Sequence, residues 1–298
     1  MAKTKPPLFT FFGTPLFSVR VLDALEANGL LPALVITAPD KKQGRGQKLA
    51  PSAAKVWAQE RGIDVITPAT LKEAALIAEL QNTDWDVFVV AAYAKLIPKT
   101  ILDIPRKGSL NVHPSLLPKF RGPSPALSAI LADERTTGVS IMQMTEKMDA
   151  GPVVAQARVE LTQEDWPPTG SMLEDMLATE GGNLLAEILP EWIAGNITPE
   201  PQNESKATYT RKFTDKDALL DASRFNLDAG YSREAFLKIR TFDRNPRAYF
   251  VDEKGRRVIV TEAELKDGKL EILKVIPEGK KETDFKTYRA NRADILSL

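Results

Sequence analysis

Short apolar runs alternate with helical patterns through the first half of the 298-residue chain, and this alternation restricts the possible folds most strongly. The run Val87–Ala92 contains no polar residue, whereas Ser52–Arg61 and Leu71–Leu80 have helical patterns. Uninterrupted apolar strands separated by helices are typical of parallel strands that helices cover on both faces. The sequence therefore predicts an α/β fold with an open, mostly parallel, Rossmann-like sheet.

The pattern changes near residue 195. Residues Asn196–Ser205 are rich in Pro, Asn and Glu and lack periodicity, which indicates a linker. Beyond them, strand-like segments are joined by the turn signals Asp252–Gly255 and Asp267–Gly268, which are typical of β-hairpins. We therefore predict three parts: a catalytic domain over residues 1–195, a linker over 196–206, and a small β domain over 207–298.

The composition excludes several classes of chemistry. The chain has no cysteine and a single histidine, His113. Thiolate nucleophiles, iron–sulfur clusters, Cys-ligated zinc and multi-histidine metal sites are therefore excluded, and no metal site is predicted. No apolar run reaches membrane-spanning length, and the N-terminus leads into a strand without a signal-peptide pattern. A cytoplasmic location with no membrane partner is therefore expected. We also expect a monomer.

Charge is unevenly distributed along the chain. The 40 basic and 40 acidic residues cancel, but residues 206–298 hold 21 basic and 16 acidic residues, a net charge of +5. Residues 1–205 carry the balancing net charge of −5. A basic tail on a mildly acidic body predicts that an anionic partner contacts the tail.

A second basic feature lies in the predicted loop Pro39–Lys48. It contains four cations within eight residues, with two glycines among them: Lys41, Lys42, Arg45 and Lys48. Such a loop suits contacts with a phosphate backbone, and a solvated loop without function is the alternative. The loop lacks the third glycine of a dinucleotide-binding fingerprint, and the chain has no P-loop motif.

The most informative polar residues lie at the end of the predicted strand Ser109–His113. Asn111 and His113 are two residues apart, so both side chains point to one side. The carboxyl ends of strands border the ligand crevice in open parallel sheets, and an amide beside an imidazole there suits a reaction that passes through an oxyanion. Asp149, in the turn Met148–Gly151, is the natural third member, because a carboxylate would hold the tautomer of the imidazole.

The same residues have simpler explanations. His113 could be a packed strand-end histidine, Asn111 a residue that hydrogen-bonds at a loop start, and Asp149 an ordinary turn aspartate. A Ser-His-Asp hydrolase that uses Ser115 is another alternative, although the chain has no G-x-S-x-G elbow. The loop Tyr93–Pro98, at the same predicted sheet edge, could hold a flat heteroaromatic ligand or only lead into a helix.

Together these residues resemble the folate-dependent formyltransferases. The resemblance covers nearly the whole chain, and the basic loop and tail narrow it to members that act on a charged tRNA. The matching segments are Asn111-Val112-His113, Ser115-Leu116-Leu117-Pro118, Met148-Asp149-Ala150-Gly151, Phe12-Gly13-Thr14-Pro15, Arg121-Gly122 and Ala207-Thr208-Tyr209.

The resemblance implies a reaction and a role for each group of residues. The formyl group of 10-formyltetrahydrofolate would pass to the α-amino group of initiator methionyl-tRNA, for translation initiation. Asn111 and a protonated His113 would donate to the oxyanion, and Asp149 would stabilise the imidazolium. The residues expected to hold the folate are Tyr93, Leu96, Ser115, Leu116, Leu117 and Pro118. Those expected to contact tRNA are Lys41, Lys42, Arg45 and Lys48.

The resemblance also implies that the tail is an OB-like β-barrel, shortened between Ala263 and Leu270.

Three functions other than formylation of a charged tRNA stay open. A related enzyme that formylates an amino sugar or a nucleotide amine would lack the basic tail, and a formyl-folate hydrolase would release formate without an acceptor. An RNA-binding protein without catalysis is the third, which the intact Asn111, His113 and Asp149 disfavour.

Overall fold

Strands and helices alternate through the first half of the chain, as the apolar pattern predicts. A computed structural model describes residues 6–43, 46–225 and 229–290. In chain order the strands are β1 (Phe9–Gly13), β2 (Leu34–Ile36), β3 (Lys41–Gln43), β4 (Lys48–Ala50), β5 (Asp64–Ile66), β6 (Val87–Ala91), β7 (Ser109–His113), β8 (Thr137–Gln143), β9 (Val153–Val159), β10 (Tyr249–Val251), β11 (Arg257–Lys266), β12 (Lys269–Pro277) and β13 (Thr283–Asp284). The α-helices are α1 (Leu16–Ala27), α2 (Ala53–Glu60), α3 (Ala74–Gln81), α4 (Lys99–Leu102), α5 (Pro125–Leu131), α6 (Gly170–Ala194), α7 (Ala229–Thr241) and α8 (Phe285–Ala290). Short 3-10 turns occupy Glu204–Lys206, Asp215–Ala218 and Ala222–Arg224.

Seven strands form the larger sheet, in the order β5-β2-β1-β6-β7-β8-β9. The five strands from β5 to β7 are parallel. β8 pairs antiparallel with β7, and β9 pairs antiparallel with β8. The predicted α/β fold with a mostly parallel, Rossmann-like sheet is therefore confirmed.

Apolar side chains cover both faces of this sheet. One buried cluster joins Leu110 and Val112 of β7 to apolar residues of α1, α2 and α6. A second cluster joins Phe88 and Val90 of β6 to apolar residues of α3 and α4. Because successive side chains of a strand point to opposite faces, Asn111 and His113 point away from the cluster that contains Val112.

The prediction of a loop over Pro39–Lys48 is wrong, because this segment contains strand β3 and the start of strand β4. β3 and β4 pair antiparallel as an isolated two-stranded hairpin. Two side-chain contacts close its base: the hydroxyls of Thr37 and Ser52 lie 2.7 Å apart, and Lys55 Nζ lies 2.8 Å from Asp40 Oδ1. Lys41, Lys42 and Lys48 are therefore carried on paired backbone rather than on a long loop.

The C-terminal part contains a four-stranded antiparallel sheet in the order β10-β11-β12-β13. The predicted turns are present: Asp252–Gly255 lies between β10 and β11, and Asp267 and Gly268, both with positive φ, join β11 to β12. Buried apolar residues of α7 and α8 pack on this sheet. Within the described ranges no pairing of β10 with β13 closes the sheet into a barrel. The OB-like barrel therefore stays a prediction.

The chain separates into two compact units that are built from interleaved segments. The first consists of Met1–Gly122, Thr136–Glu160 and Glu174–Tyr209, and the second of Pro123–Arg135, Leu161–Leu173 and Thr210–Leu298. The predicted division into 1–195, 196–206 and 207–298 assigns a role to each of three successive parts of the chain, and it stays a prediction.

The segments Pro123–Arg135 and Leu161–Leu173 are held inside the second unit by specific contacts. Arg233 forms an ion pair with Asp133, and Ser171 N–H donates to Asp243 Oδ1. Arg240 Nε donates to the carbonyl of Pro167. The second unit is therefore not a simple C-terminal appendage.

Two features are absent from the residues described. No helix among them is both long and apolar enough to cross a membrane. These residues also bring together no group of three or more metal-ligating side chains.

A fragment that ends at Lys206 is expected to lose cooperative folding. It would retain Pro123–Arg135 and Leu161–Leu173 but lack the α7 residues that contact them. Exposed apolar surface should then bind a hydrophobic dye and broaden thermal unfolding. The control is the full-length Arg233→Ala variant, which removes one of these contacts and should still unfold cooperatively. A sharp transition without dye binding in the fragment would contradict the expectation.

Candidate active site

His113 ends β7 and is almost fully buried, with 3% of its surface exposed. Its Nε2 lies 3.0 Å from the carbonyl oxygen of Phe120. Because a carbonyl can only accept, Nε2 carries the proton and donates. The other ring nitrogen, Nδ1, lies 3.8 Å from Asp149 Oδ2. The structure therefore directs the proton-accepting nitrogen of the ring towards a carboxylate.

The surroundings of His113 favour its neutral form. Burial lowers the pKa of His113, and the opposing effects of the Asp149 carboxylate and the Phe120 carbonyl are smaller. Burial therefore favours the neutral ring, with a lone pair on Nδ1, over the protonated ring that the resemblance implies.

Asp149 lies in the tight turn between β8 and β9. Its φ is +49°, in the left-handed region that few non-glycine residues adopt. The backbone N–H of Gly122 donates to Asp149 Oδ2 at 2.7 Å. Gly151, two residues later, has no room for a side chain, because a Cβ there would lie 1.8 Å from the carbonyl oxygen of Gln143. The turn therefore requires glycine at position 151, and the N–H of Gly122 holds its carboxylate.

Asn111 lies on β7 two residues before His113, on the same face of the sheet. Its side chain is half-buried. No residue that the structure describes forms a hydrogen bond with its carboxamide. An amide with free N–H groups beside a buried imidazole can donate to negative charge that develops on a substrate oxygen.

The predicted folate residues Tyr93 and Leu96 follow β6, which pairs with β7 through Val90 and Asn111. Tyr93 packs edge-on against Phe12, and its buried hydroxyl has no hydrogen-bond partner among the residues described. Burial raises the pKa of Tyr93 to about 12. Leu96 is 84% exposed. An unsatisfied hydroxyl and an exposed leucine at one sheet edge are features that a bound ligand could complete.

The predicted folate segment Ser115–Pro118 is fixed by hydrogen bonds to β8 and β9. Ser140 Oγ donates to the carbonyl of Ser115 and accepts the N–H of Leu117, and Gln156 Nε2 donates to the carbonyl of Leu117. The Ser115 hydroxyl donates to the carbonyl of Lys119 and is buried. Ser115 therefore keeps its hydroxyl within the segment, which leaves Leu116, half-buried, and Pro118 as its more accessible side chains.

The predicted tRNA residues Lys41, Lys42 and Lys48 are exposed on the β3–β4 hairpin. No carboxylate among the residues described forms an ion pair with them, so their charges are available to an anion. Arg45 lies outside the described residues.

Sequence reasoning missed a group of residues in the predicted linker and just after it. Residues 200–209, which we call the strap, lie beside the Asp149 turn, and Gln202 of the strap binds that turn directly. The strap also supplies acceptors to the buried guanidinium of Arg121. The resemblance marked Arg121 and Tyr209 separately, but no local pattern connects them or indicates Gln202.

Comparisons with known proteins show the family of the chain. Residues 8–189 match the sequence model of the formyl transferase family. A methionyl-tRNA formyltransferase from Thermus thermophilus is 42% identical over 274 residues, which cover 90% of this chain and 85% of that relative. One from Chloroflexus aggregans is 42% identical over 213 residues, 71% of this chain and 67% of that relative.

Among solved structures, an N-formyltransferase from Helicobacter canadensis in complex with folinic acid and dTDP-3-aminofucose has a TM-score of 0.63 at 18% identity, covering 88% of each chain. That likeness shows a shared fold. Together with the match over residues 8–189, it leads to one conclusion: the chain belongs to the formyl transferase family.

Proposed function

We propose that this chain transfers the formyl group of 10-formyltetrahydrofolate to the α-amino group of initiator methionyl-tRNA, in the cytoplasm and as a monomer. The observation that carries the proposal is the grouping of Asn111, His113 and Asp149 at the carboxyl edge of the sheet. The 42% identity to a methionyl-tRNA formyltransferase over 90% of the chain supports the choice of acceptor.

Asn111 and the His113–Asp149 pair divide the chemistry between them. The carboxamide of Asn111 donates a hydrogen bond to the formyl oxygen as negative charge develops there. The α-amino group loses a proton as it attacks, and His113 Nδ1 accepts that proton. Asp149 Oδ2, 3.8 Å away, stabilises the resulting imidazolium. The proton then passes from Nδ1 to the departing nitrogen.

No strong base is required for this attack. A free α-amino group has a pKa of roughly 7.7–8.0, and an adjacent ester lowers it, so much of the amine is neutral near pH 7. Direct transfer also needs no covalent enzyme intermediate. A chain without cysteine can therefore perform it.

The residues at the sheet edge fit a folate. The buried, unpartnered hydroxyl of Tyr93 offers a hydrogen bond, and the exposed Leu96 offers apolar contact to a flat ring. Leu116, Leu117 and Pro118 would contribute apolar surface, and Ser115 would contribute only its backbone. The folate supplies the activated formyl group.

The candidate functions that remain differ in the molecule that accepts the formyl group. The solved relative that binds dTDP-3-aminofucose makes an amino sugar the second candidate, whereas the net charge of +5 on residues 206–298 favours an RNA. We expect that purified protein given labelled formyl-folate and a charged tRNA pool will label only initiator methionyl-tRNA. Labelling of an aminodeoxy sugar nucleotide instead, or release of formate without any acceptor, would contradict the proposal.

Replacing Asn111 by Ala should lower kcat about 10²–10³-fold, because one donor to the developing oxyanion is removed. KM for both substrates should change little. The matched control is Asn82→Ala, at the exposed end of α3, which should behave as wild type. An effect confined to KM would show that Asn111 contributes to binding and not to catalysis.

Replacing Asp149 by Asn should lower kcat about 10²–10⁴-fold and move the acid limb of its pH profile to lower pH. The neutral form of His113 is the active one, so activity falls as the pH drops through its pKa. Burial lowers that pKa and the Asp149 carboxylate raises it, so removing the carboxylate lowers it further. An acid limb that stays at the wild-type pH would contradict the role of Asp149.

The β3–β4 hairpin is proposed to contact the phosphates of the tRNA acceptor end. The triple variant Lys41→Ala, Lys42→Ala, Lys48→Ala should bind tRNA more weakly. The slope of log Kd against log salt concentration should fall by about 0.9 for each phosphate that the variant no longer neutralises. Binding of formyl-folate should not change. Lys72→Ala, at another exposed lysine, is the control, and equal slopes for the triple variant and wild type would contradict the proposed interaction.

Arg45 is proposed to contribute to selection of the initiator tRNA. Arg45→Ala should raise KM for tRNA and weaken discrimination against elongator tRNA. Arg45→Lys keeps the charge but removes the planar fork, so it separates charge from shape. If Arg45→Ala retains full initiator preference, the residue has no part in selection.

A further inference from the structure

The side chain of Arg121 is buried, with only 1% of its surface exposed, and its guanidinium makes hydrogen bonds in every direction. Nε and Nη2 donate to Gln202 Oε1 at 3.0 and 2.9 Å. Nη1 and Nη2 donate to the two carboxylate oxygens of Glu204 at 2.9 and 2.8 Å, and Nη1 also donates to the hydroxyl of Tyr209. All five N–H groups of the arginine therefore have acceptors, and all of those acceptors belong to the strap.

The carboxamide of Gln202 uses both of its ends. Its oxygen accepts from Arg121, and its Nε2 donates to the carbonyls of Asp149 at 2.8 Å and of Gly151 at 2.7 Å. The orientation of the amide follows from chemistry, because an arginine can only donate and a backbone carbonyl can only accept. Gln202 therefore joins a buried cation to the backbone of the turn that carries Asp149.

The Asp149 turn needs such support. Its backbone is left-handed at Asp149, a conformation that persists only where the surroundings hold it. The carboxylate is held separately, because the N–H of Gly122 donates to Oδ2. Gly122 follows Arg121 directly in the chain. The same Oδ2 atom lies 3.8 Å from His113 Nδ1.

Backbone hydrogen bonds fix the strap at its two ends. Glu200 and Val153 exchange N–H to carbonyl bonds of 2.7 and 2.8 Å. At the other end, the N–H of Arg121 donates to the carbonyl of Thr208, and the N–H of Thr208 donates to that of Pro118. Gln202 thus lies between two stretches of backbone that are hydrogen-bonded to the rest of the first unit, at Glu200 and at Thr208. These bonds limit the directions in which its side chain can point.

We propose that Gln202 is a positioning residue, which holds the Asp149 turn so that the carboxylate faces His113 during formyl transfer. The inference rests on the proposed function for the role of Asp149. It assigns to the predicted linker a part in catalysis that does not require contact with either substrate.

Two substitutions separate the contacts of Gln202. Gln202→Glu keeps an oxygen for Arg121 but replaces the donors to the Asp149 and Gly151 carbonyls by an acceptor. Gln202→Met removes both contacts at similar volume. The matched control is Gln59→Glu, the same change on the exposed surface of α2. Thermal unfolding of each variant shows whether it folds, and Gln202→Glu should remain as stable as wild type to within a few degrees.

Both variants should lower kcat by about 10²-fold, because misplacement of a catalytic group by about 1 Å has effects of that size. KM for formyl-folate and for tRNA should stay within about twofold of wild type. In an Asp149→Asn background the same substitutions should have almost no further effect on kcat, because the group that Gln202 positions is already absent.

A second readout needs no substrate. His113 is the only histidine of the chain, so labelled imidazole signals from protein prepared without a histidine tag report its pKa directly. The carboxylate of Asp149 raises that pKa, so Gln202→Met should lower it in the wild-type background and leave it unchanged in the Asp149→Asn background.

The outcomes separate the two proposals. The proposal that Gln202 is a positioning residue is overturned if its variants lower kcat by the same factor with and without Asp149. It is also overturned if they leave the pKa of His113 unchanged. If the protein formylates another amine instead, the proposed function fails, but the titration of His113 still tests the role of Gln202.

Discussion

The guanidinium of Arg121 is buried, and a buried cation is tolerated only when its N–H groups find acceptors. Its acceptors, Gln202, Glu204 and Tyr209, lie 81 to 88 residues later in the chain. This requirement fixes the path of the strap along the Asp149 turn. It also explains why a segment with the composition of a linker is structurally part of the catalytic unit.

Local periodicity accounts for what the sequence predicts well. The apolar strands and intervening helices predict the mostly parallel sheet, and the period of two along β7 places Asn111 and His113 on one face. The turn signals of the tail correspond to the hairpins of its antiparallel sheet. Each of these features depends on contacts between residues close in the chain or on a repeating pattern, which a single sequence shows directly.

Features that depend on burial, or on contacts between residues distant in the chain, cannot be predicted from local sequence patterns. The sequence of the basic segment predicts a loop, because its glycines and lysines are poor strand formers. The structure nevertheless pairs β3 with β4, and a contact between Thr37 and Ser52, distant in the chain, lies at the base of this hairpin. The lowered pKa of His113 depends on burial, which no neighbouring residue in the sequence reveals. The partners of Arg121 are not apparent, because nothing in the residues around position 121 shows that its side chain is buried.

The interleaved units affect how the chain folds during synthesis. Pro123–Arg135 and Leu161–Leu173 leave the ribosome well before α7, which they contact. At about 5–20 residues per second, their apolar surfaces remain without partners for several seconds. The first unit is also incomplete until the strap emerges, so Arg121 stays solvated until then. We expect the nascent chain to be most prone to aggregation in this interval, when chaperones that bind exposed apolar segments would have most effect.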